Sequence, residues 1–193
     1  MRLFGASQGG MLALLIALEH PELVRGMVLG STSAQVTEVQ YREVFEKWAA
    51  LARAGDAAAL YLAFGEALYP KRMFDKLRPL LLQNAKAVTE KDLRRLIVQA
   101  EAMEGFDVRR DLAKVACPTL VIGDTEDNVF GGEASARLAE GIKGCELYMY
   151  DGYGHAVYDL APDYRERMRK FLIPEKQADF EKKGENSSGR AKT

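Results

Sequence analysis

Three residues that lie far apart in the sequence have side chains that can perform nucleophilic catalysis together: Ser7, Asp127 and His155. A serine hydroxyl is a weak nucleophile until an imidazole removes its proton. The imidazole in turn needs a carboxylate that fixes its tautomer and stabilises the imidazolium. The chain supplies all three groups, in the order serine, aspartate, histidine. This set therefore predicts a nucleophilic serine.

Ser7 is the central residue of a G-x-S-x-G pattern that begins at Gly5 and ends at Gly9. The pattern lies between a predicted strand around Leu3 and a predicted helix, from about residue 10 to 19, that is apolar on every face and therefore buried. A serine at so sharp a turn is strained with its hydroxyl exposed, and we expect a Cβ at either flanking glycine to collide with neighbouring backbone. The pattern alone would also fit a tight glycine turn without chemistry.

Asp127 and His155 each follow a predicted strand. Asp127 comes just after the apolar run Thr119–Gly123, and His155 comes after the run Glu146–Tyr150. Open α/β sheets bind their ligands at the carboxyl ends of parallel strands. Both residues are therefore expected in loops on the functional side of a sheet.

The apolar runs around these residues predict an α/β fold with a parallel sheet. Four strands are predicted, around Leu3, at Leu23–Gly30, and at the two runs named above. Residues 36–112 favour helices only. The predicted organisation is a core formed by residues 1–35 and 113–173, an all-α insertion at residues 36–112, and a disordered polar tail at residues 174–193.

From Leu3 to about Leu172 this arrangement resembles the α/β-hydrolase family. The resemblance rests on the G-x-S-x-G turn, the helical cap between two strands, the loop that contains Asp127, and the Gly154-His155 pair before a last helix. It implies the C-terminal part of an α/β-hydrolase fold, a parallel sheet with an inserted all-α cap. It also implies acyl transfer to water through an acyl-enzyme, without a metal or an organic cofactor.

The resemblance assigns a role to each residue. Ser7 is the nucleophile, His155 the general base and then acid, and Asp127 the carboxylate that orients the histidine. The backbone N–H of Gln8 is one donor of the oxyanion hole.

Two other acids, Asp124 and Glu126, compete with Asp127 for the acid position. Asp127 is favoured because the family places its acid a few residues into this loop. The second histidine, His20, precedes Pro21 at a predicted helix end. It is expected on the surface, without a catalytic role.

Composition excludes several classes of function. The chain has 27 Lys and Arg against 28 Asp and Glu, and this net charge of −1 provides no basic field for nucleic acid. Two histidines are too few for a histidine-based zinc site. Cys117 and Cys145 lack metal-ligand spacing and are expected to be reduced, in a cytoplasmic protein. The apolar run Met11–Leu18 is too short to span a membrane, and its flanks do not fit a signal peptide.

The N-terminal strands of the α/β-hydrolase family have no counterpart before Leu3. The loop that donates the second oxyanion N–H belongs to that part of the fold. We therefore expect the Leu3 strand to be an exposed apolar edge, and the following helix to lose part of its cover. Three explanations fit: a start placed too far downstream, which is favoured, a missing half supplied by another chain, and a shortened protein that no longer catalyses. A homo-oligomer is a further candidate assembly.

The leading functional hypothesis is a serine hydrolase that acts on a small ester, lactone, thioester or related carbonyl substrate. Serine in place of a carboxylate at the turn argues against haloalkane dehalogenation. In the cap, Trp48, Phe64, Met73 and Phe74 suit a modest apolar substrate or form the cap's own core. The alternative is a non-catalytic remnant of the family that acts through protein association.

Overall fold

Four parallel strands form one sheet in the computed structural model, which describes residues 1–173. In chain order they are β1 (Arg2–Ala6), β2 (Gly26–Gly30), β3 (Thr119–Asp124) and β4 (Glu146–Tyr150). The strands lie side by side in this same order. The predicted parallel α/β sheet is confirmed, and the tail predicted at residues 174–193 lies outside the described residues.

Nine α-helices surround the sheet in the described part of the chain. They are α1 (Gln8–Glu19), α2 (Glu38–Gln40), α3 (Lys47–Arg53), α4 (Ala57–Leu68), α5 (Lys71–Ala85), α6 (Glu90–Glu101), α7 (Ala134–Gly141), α8 (Val157–Leu160) and α9 (Tyr164–Leu172). A π-helical turn, Tyr41–Glu46, joins α2 to α3. Within residues 1–173, no helix has the length and apolar character that a bilayer crossing requires.

The central strands β2 and β3 are buried along their whole length, because helices cover both faces of the sheet. On one face, Met27 and Leu29 pack with Leu14 of α1 and Leu138 of α7. On the other face, residues of β2 and β3 pack with α8 and α9, where Tyr164 is the largest buried side chain. Such strands are apolar without alternation, which is why their sequence runs are continuous.

Strand β1 is an edge strand that pairs with β2 alone among the described strands. Phe4 of β1 is 45% exposed, and Leu12 and Ile16 of α1 are 57% and 37% exposed. The prediction that α1 is buried on every face is therefore wrong at Leu12 and Ile16. The exposed edge and the partial loss of cover agree with the expectation for a sheet that starts at this strand.

The helices α2 to α6 form a helical insertion between β2 and β3. Its two connections run side by side, because Val36 N–H donates to the Phe106 carbonyl and Val108 N–H donates to the Ala34 carbonyl, each at 2.9 Å. The insertion therefore leaves and rejoins the sheet domain at one place, next to the carboxyl end of β2. One of its helices, α5, continues through Pro79.

Candidate active site

The backbone of Ser7 adopts the left-handed region, with a φ of 53°, at the sharp turn between β1 and α1. Two hydrogen bonds from the end of β2 hold it there. The Ser7 N–H donates to the Gly30 carbonyl at 2.8 Å, and the Thr32 hydroxyl donates to the Ser7 carbonyl at 2.7 Å. Since a non-glycine residue rarely adopts this conformation, these contacts offset the strain at Ser7.

The glycines of the turn differ in whether a side chain would fit at their positions. A Cβ at Gly5 would lie 2.2 Å from the Gly9 carbonyl oxygen, so a side chain there would collide with backbone. The corresponding prediction for Gly9 is wrong, because a Cβ at Gly9 has no neighbouring atom within 4 Å. The second tight position is Gly10, where a Cβ would lie 2.7 Å from the side chain of Thr32.

The three predicted residues form one hydrogen-bonded chain. Ser7 Oγ lies 2.9 Å from His155 Nε2, and His155 Nδ1 lies 2.9 Å from Asp127 Oδ2. A carboxylate can only accept a hydrogen bond, so the N–H of this pair is on Nδ1 and donates to Asp127 Oδ2. The lone pair of Nε2 then faces the Ser7 hydroxyl, which is the arrangement that removes a proton from serine.

Asp127 is fixed by its own loop. Its Oδ1 accepts hydrogen bonds from the N–H groups of Val129 at 2.8 Å and Phe130 at 3.0 Å. The residue is only 5% exposed, and its other oxygen is the one that contacts His155. Because backbone N–H groups hold Oδ1, the other carboxylate oxygen, Oδ2, is fixed in its orientation toward His155.

The other two candidate acids do not contact His155. Glu126 is exposed. Asp124, the last residue of β3, is 1% exposed, and its carboxylate accepts hydrogen bonds from the N–H groups of Glu126, Tyr153 and Gly154 at 2.8 to 2.9 Å. Asp124 thus connects the acid loop to the loop that contains His155, a role that the sequence analysis missed. An acid at the last position of a buried strand was the available signal.

The imidazole of His155 is 1% exposed and is enclosed by aromatic rings. The ring centroids of Phe130 and Tyr158 lie 5.4 Å and 6.2 Å from it. Burial, followed by the charge of Asp159, raises the pKa of the Tyr158 hydroxyl to about 12. Tyr158 is therefore neutral at physiological pH and adds no negative charge beside Asp127.

Gln8, the predicted oxyanion donor, directly follows Ser7 in the chain. It is the first residue of α1, so its backbone N–H has no acceptor within the helix, and the positive end of the helix dipole points toward the same place. Its side-chain amide donates to the carbonyl of Gln99, near the end of α6, at 2.9 Å. The residue beside Ser7 therefore also connects the sheet domain to the helical insertion.

Similar connections join the other two loops of the site to the helical insertion. The amide of Gln40 donates to the Phe130 carbonyl in the acid loop at 2.7 Å. In the histidine loop, the N–H of Ala156 donates to the Leu68 carbonyl at the end of α4, at 3.0 Å. The helical insertion is thus hydrogen-bonded to all three loops that carry Ser7, Asp127 and His155.

A cavity of about 140 Å³ opens beside Ser7, between the sheet domain and the helical insertion. Trp48 and Phe64, two of the four cap residues proposed to face a substrate, line it. Met73 and Phe74 are not among its lining residues. Phe74 instead packs against Gly65 of α4, inside the insertion.

The remaining candidates lie outside this site. His20 is exposed at the end of α1, where its Nδ1 lies 3.7 Å from Glu22 Oε1. Cys117 and Cys145 form no disulfide, and burial raises the pKa of the Cys145 thiol to about 11. Among residues 1–173, no three His, Cys, Asp or Glu side chains are grouped closely enough to hold a metal ion.

This chain is similar to several proteins that are named as hydrolases. It is 26% identical over 185 residues to the "Putative carbamate hydrolase RutD" of Rhizobium rhizogenes, covering 87% of this chain and 65% of the relative. Two solved structures match with TM-scores of 0.80 and 0.75, at 23% and 22% identity. These are the α/β-hydrolase MGS-M2 from a deep-sea metagenome library and the enol-lactonase of Burkholderia xenovorans. The matches cover 89% and 88% of this chain but only 64% of each structure, so the chain spans slightly less than two thirds of these relatives.

A family model provides the assignment. The model Hydrolase_4, described as serine aminopeptidase S33, matches residues 1–159. This range includes the turn at Ser7, the helical insertion and the loops of Asp127 and His155. The chain therefore belongs to the Hydrolase_4 family of α/β-hydrolases.

Proposed function

We propose that this chain is a serine hydrolase that cleaves a small ester, lactone, thioester or related carbonyl substrate. The observation that carries the proposal is the unbroken hydrogen-bonded chain from Ser7 Oγ through the His155 imidazole to Asp127. The carbamate hydrolase and the enol-lactonase among the relatives carry names that describe attack on a carbonyl carbon.

In the proposed reaction, His155 Nε2 takes the hydroxyl proton as Ser7 Oγ attacks the carbonyl carbon. The negative charge that develops on the carbonyl oxygen is stabilised by the backbone N–H of Gln8. His155 then gives its proton to the leaving group, and an acyl ester of Ser7 forms. His155 takes a proton from a water molecule, whose oxygen attacks the carbonyl carbon of this ester. His155 then returns the proton to Ser7 Oγ as the bond between Oγ and the acyl group breaks and the carboxylic acid is released.

Hydrolysis of p-nitrophenyl butyrate by the 193-residue chain tests this proposal. We expect Ser7→Ala and His155→Gln to lower kcat/KM by at least about a thousandfold. The chain has only two histidines, so His20→Gln is the matched control and should retain full activity. Activity that persists in Ser7→Ala would overturn the proposal.

A second candidate function is protein association without catalysis. It is motivated by the edge of β1 that is unpaired within residues 1–173 and by the exposed apolar side chains of Phe4, Leu12 and Ile16. Light scattering across a concentration series separates the two candidates when it is combined with the esterase assay. A stable assembly of an inactive chain would favour association, and an active monomer would exclude it.

A further inference from the structure

The cavity beside Ser7 is partly open to solvent and is lined mainly by apolar side chains. Its lining consists of Ser7 and Gln8 from the turn after β1, Gln99 from α6, and the side chains of Phe45, Trp48, Phe64, Leu96, Ala100 and Met103. These nine residues include no charged side chain. A charged group in this space would lose its hydration without gaining a partner, so the cavity favours an uncharged apolar group.

Aromatic contacts fix the wall of the cavity. The rings of Phe45 and Trp48 meet edge to face at 5.4 Å, and the rings of Trp48 and Phe64 do so at 4.5 Å. Phe45 is only 4% exposed. Three rings in contact change shape less readily than flexible side chains, so this wall limits the space on its own side of the cavity, which is otherwise partly open to solvent.

The volume of the cavity indicates the size of the group that it can hold. An apolar protein cavity of about 150 Å³ accommodates a benzene ring. The cavity of 140 Å³ beside Ser7 therefore has room for a phenyl group or an alkyl chain of similar volume. A long fatty acyl chain would extend beyond it.

The position of His155 decides which part of a substrate enters. The leaving group must receive its proton from His155 Nε2, so it has to lie on the histidine side of Ser7. The cavity borders Ser7 and Gln8, and His155 is not part of its lining. The group that fits the cavity is therefore the acyl substituent of the carbonyl carbon, and not the leaving group.

On these grounds we propose that the chain hydrolyses substrates with a short, uncharged, apolar acyl group, of about four to six carbons or a benzoyl group. This inference rests on the hydrolase function proposed above. It adds the acyl specificity of the same site, and it assigns Leu96 and the ring wall of Phe45, Trp48 and Phe64 to the recognition of that group.

An acyl series with a constant p-nitrophenol leaving group tests the specificity. We expect kcat/KM to rise roughly fourfold per methylene from acetate to hexanoate, then to fall for decanoate. The succinate monoester should be at least about tenfold poorer than butyrate, since its carboxylate would enter the apolar cavity. A preference for acetate, decanoate or succinate would overturn the proposal.

A pair of substitutions on α6 tests whether Leu96 determines the acyl preference. Leu96→Phe fills part of the cavity and should shift the preferred acyl group from hexanoate to acetate or propionate. Val98→Phe adds a ring to the same helix at a position that is 66% exposed, and the preference should stay at hexanoate. Equal shifts in both variants would contradict the assignment of Leu96.

Binding can be measured without catalysis, because Trp48 is the only tryptophan of the chain. In Ser7→Ala, 4-bromobenzamide should quench the fluorescence of Trp48, and Leu96→Phe should weaken this quenching several-fold in the same background. Quenching together with the absence of any esterase activity in the unsubstituted chain would remove the hydrolase function but retain the apolar site. Absence of quenching would overturn the site itself.

Discussion

Gly154, the residue before His155, donates a 2.9 Å hydrogen bond from its N–H to the carboxylate of Asp124. The same carboxylate accepts from the N–H of Tyr153 at 2.9 Å. Asp124 lies at the end of β3, 29 and 30 residues before Tyr153 and Gly154, yet it holds the backbone that leads into the histidine. The position of the imidazole therefore depends on an acid that does not contact it.

Replacement of Asp124 should destabilise the protein and displace His155. Asp124→Ala leaves three backbone N–H groups without their acceptor, and we expect a loss of about 3 kcal/mol in the free energy of unfolding. Asp124→Asn keeps one acceptor oxygen and should lose less stability than Asp124→Ala. Urea unfolding measures both, with the exposed Glu126→Ala as a control that changes stability by about 0.5 kcal/mol or less. Equal stability of the Asp124→Ala and Glu126→Ala variants would refute this role.

Asp127→Asn should inactivate the protein without unfolding it. The amide oxygen can replace Oδ1, which accepts from the N–H groups of Val129 and Phe130, and this leaves the amide NH2 facing His155 Nδ1. His155 would then carry its proton on Nε2, toward Ser7, and could no longer act as the base. We expect kcat to fall on the order of a thousandfold to ten-thousandfold.

The comparison for this prediction is Glu126→Gln, which makes the same chemical change in an exposed acid of the same loop. Its kcat for p-nitrophenyl butyrate should equal that of the unsubstituted chain. If Asp127→Asn retained most of the activity, another group would have to orient the histidine.

Thr32→Val should impair catalysis through the backbone of Ser7. The substitution removes the hydroxyl that donates to the Ser7 carbonyl at 2.7 Å, and with it one of the contacts that hold Ser7 at a positive φ. We expect about 1 kcal/mol less stability and a decrease of about tenfold in kcat. Thr119→Val is the matched control, because the buried Thr119 hydroxyl also donates to a carbonyl, that of Cys117, away from the turn. It should lose similar stability but no activity.

Two stacked tyrosines should respond to removal of their hydroxyl groups in opposite directions. The Tyr150 hydroxyl donates to Asp163 at 2.7 Å, so Tyr150→Phe should lose about 1 kcal/mol of stability. The Tyr164 hydroxyl is buried against Gly30 and makes no hydrogen bond within residues 1–173. Tyr164→Phe should therefore gain about 1 kcal/mol. Equal losses in urea unfolding would contradict this difference.

The same tyrosines predict how stability depends on pH. Burial, and then the hydrogen bond with Asp163, raises the pKa of Tyr150 to about 12, whereas an unfolded tyrosine titrates near 10. Above pH 10 the unfolded state loses its proton first, so the folded state binds more protons and stability falls as pH rises toward 12. Tyr150 should contribute about 1 kcal/mol of this loss per pH unit. Unfolding at pH 9 and pH 11 should show a smaller decrease for Tyr150→Phe, and an identical decrease would contradict the assigned pKa.

Features that depend on neighbouring residues in the chain could be predicted from sequence. Strands β2 and β3 follow from continuous apolar runs, because both strands are covered on both faces. The predicted β2 was three residues too long at its start, since Pro21–Leu23 form a 3-10 turn before Gly26. Proline at the first position of a helical turn explains this difference.

Features that depend on residues far apart in the chain could not be predicted from the sequence alone. The steric need for glycine at Gly10 arises from the side chain of Thr32, which approaches from the end of another strand. The preference for Asp127 over Asp124 rests on the family resemblance alone, because the acid that contacts His155 is decided by where the histidine loop lies in space. The set of cavity-lining residues depends on how α4 and α5 pack, since Phe64 faces the cavity while Phe74 packs against Gly65.

The most direct test of the central claim is covalent labelling of the 193-residue chain with a fluorophosphonate, followed by peptide mass spectrometry. A serine that is activated by His155 should carry the whole label on Ser7, with none in Ser7→Ala and labelling at least about a hundredfold slower in His155→Gln. Labelling that is absent while a known serine hydrolase reacts, or that is unaffected by His155→Gln, would contradict the claim that His155 activates Ser7.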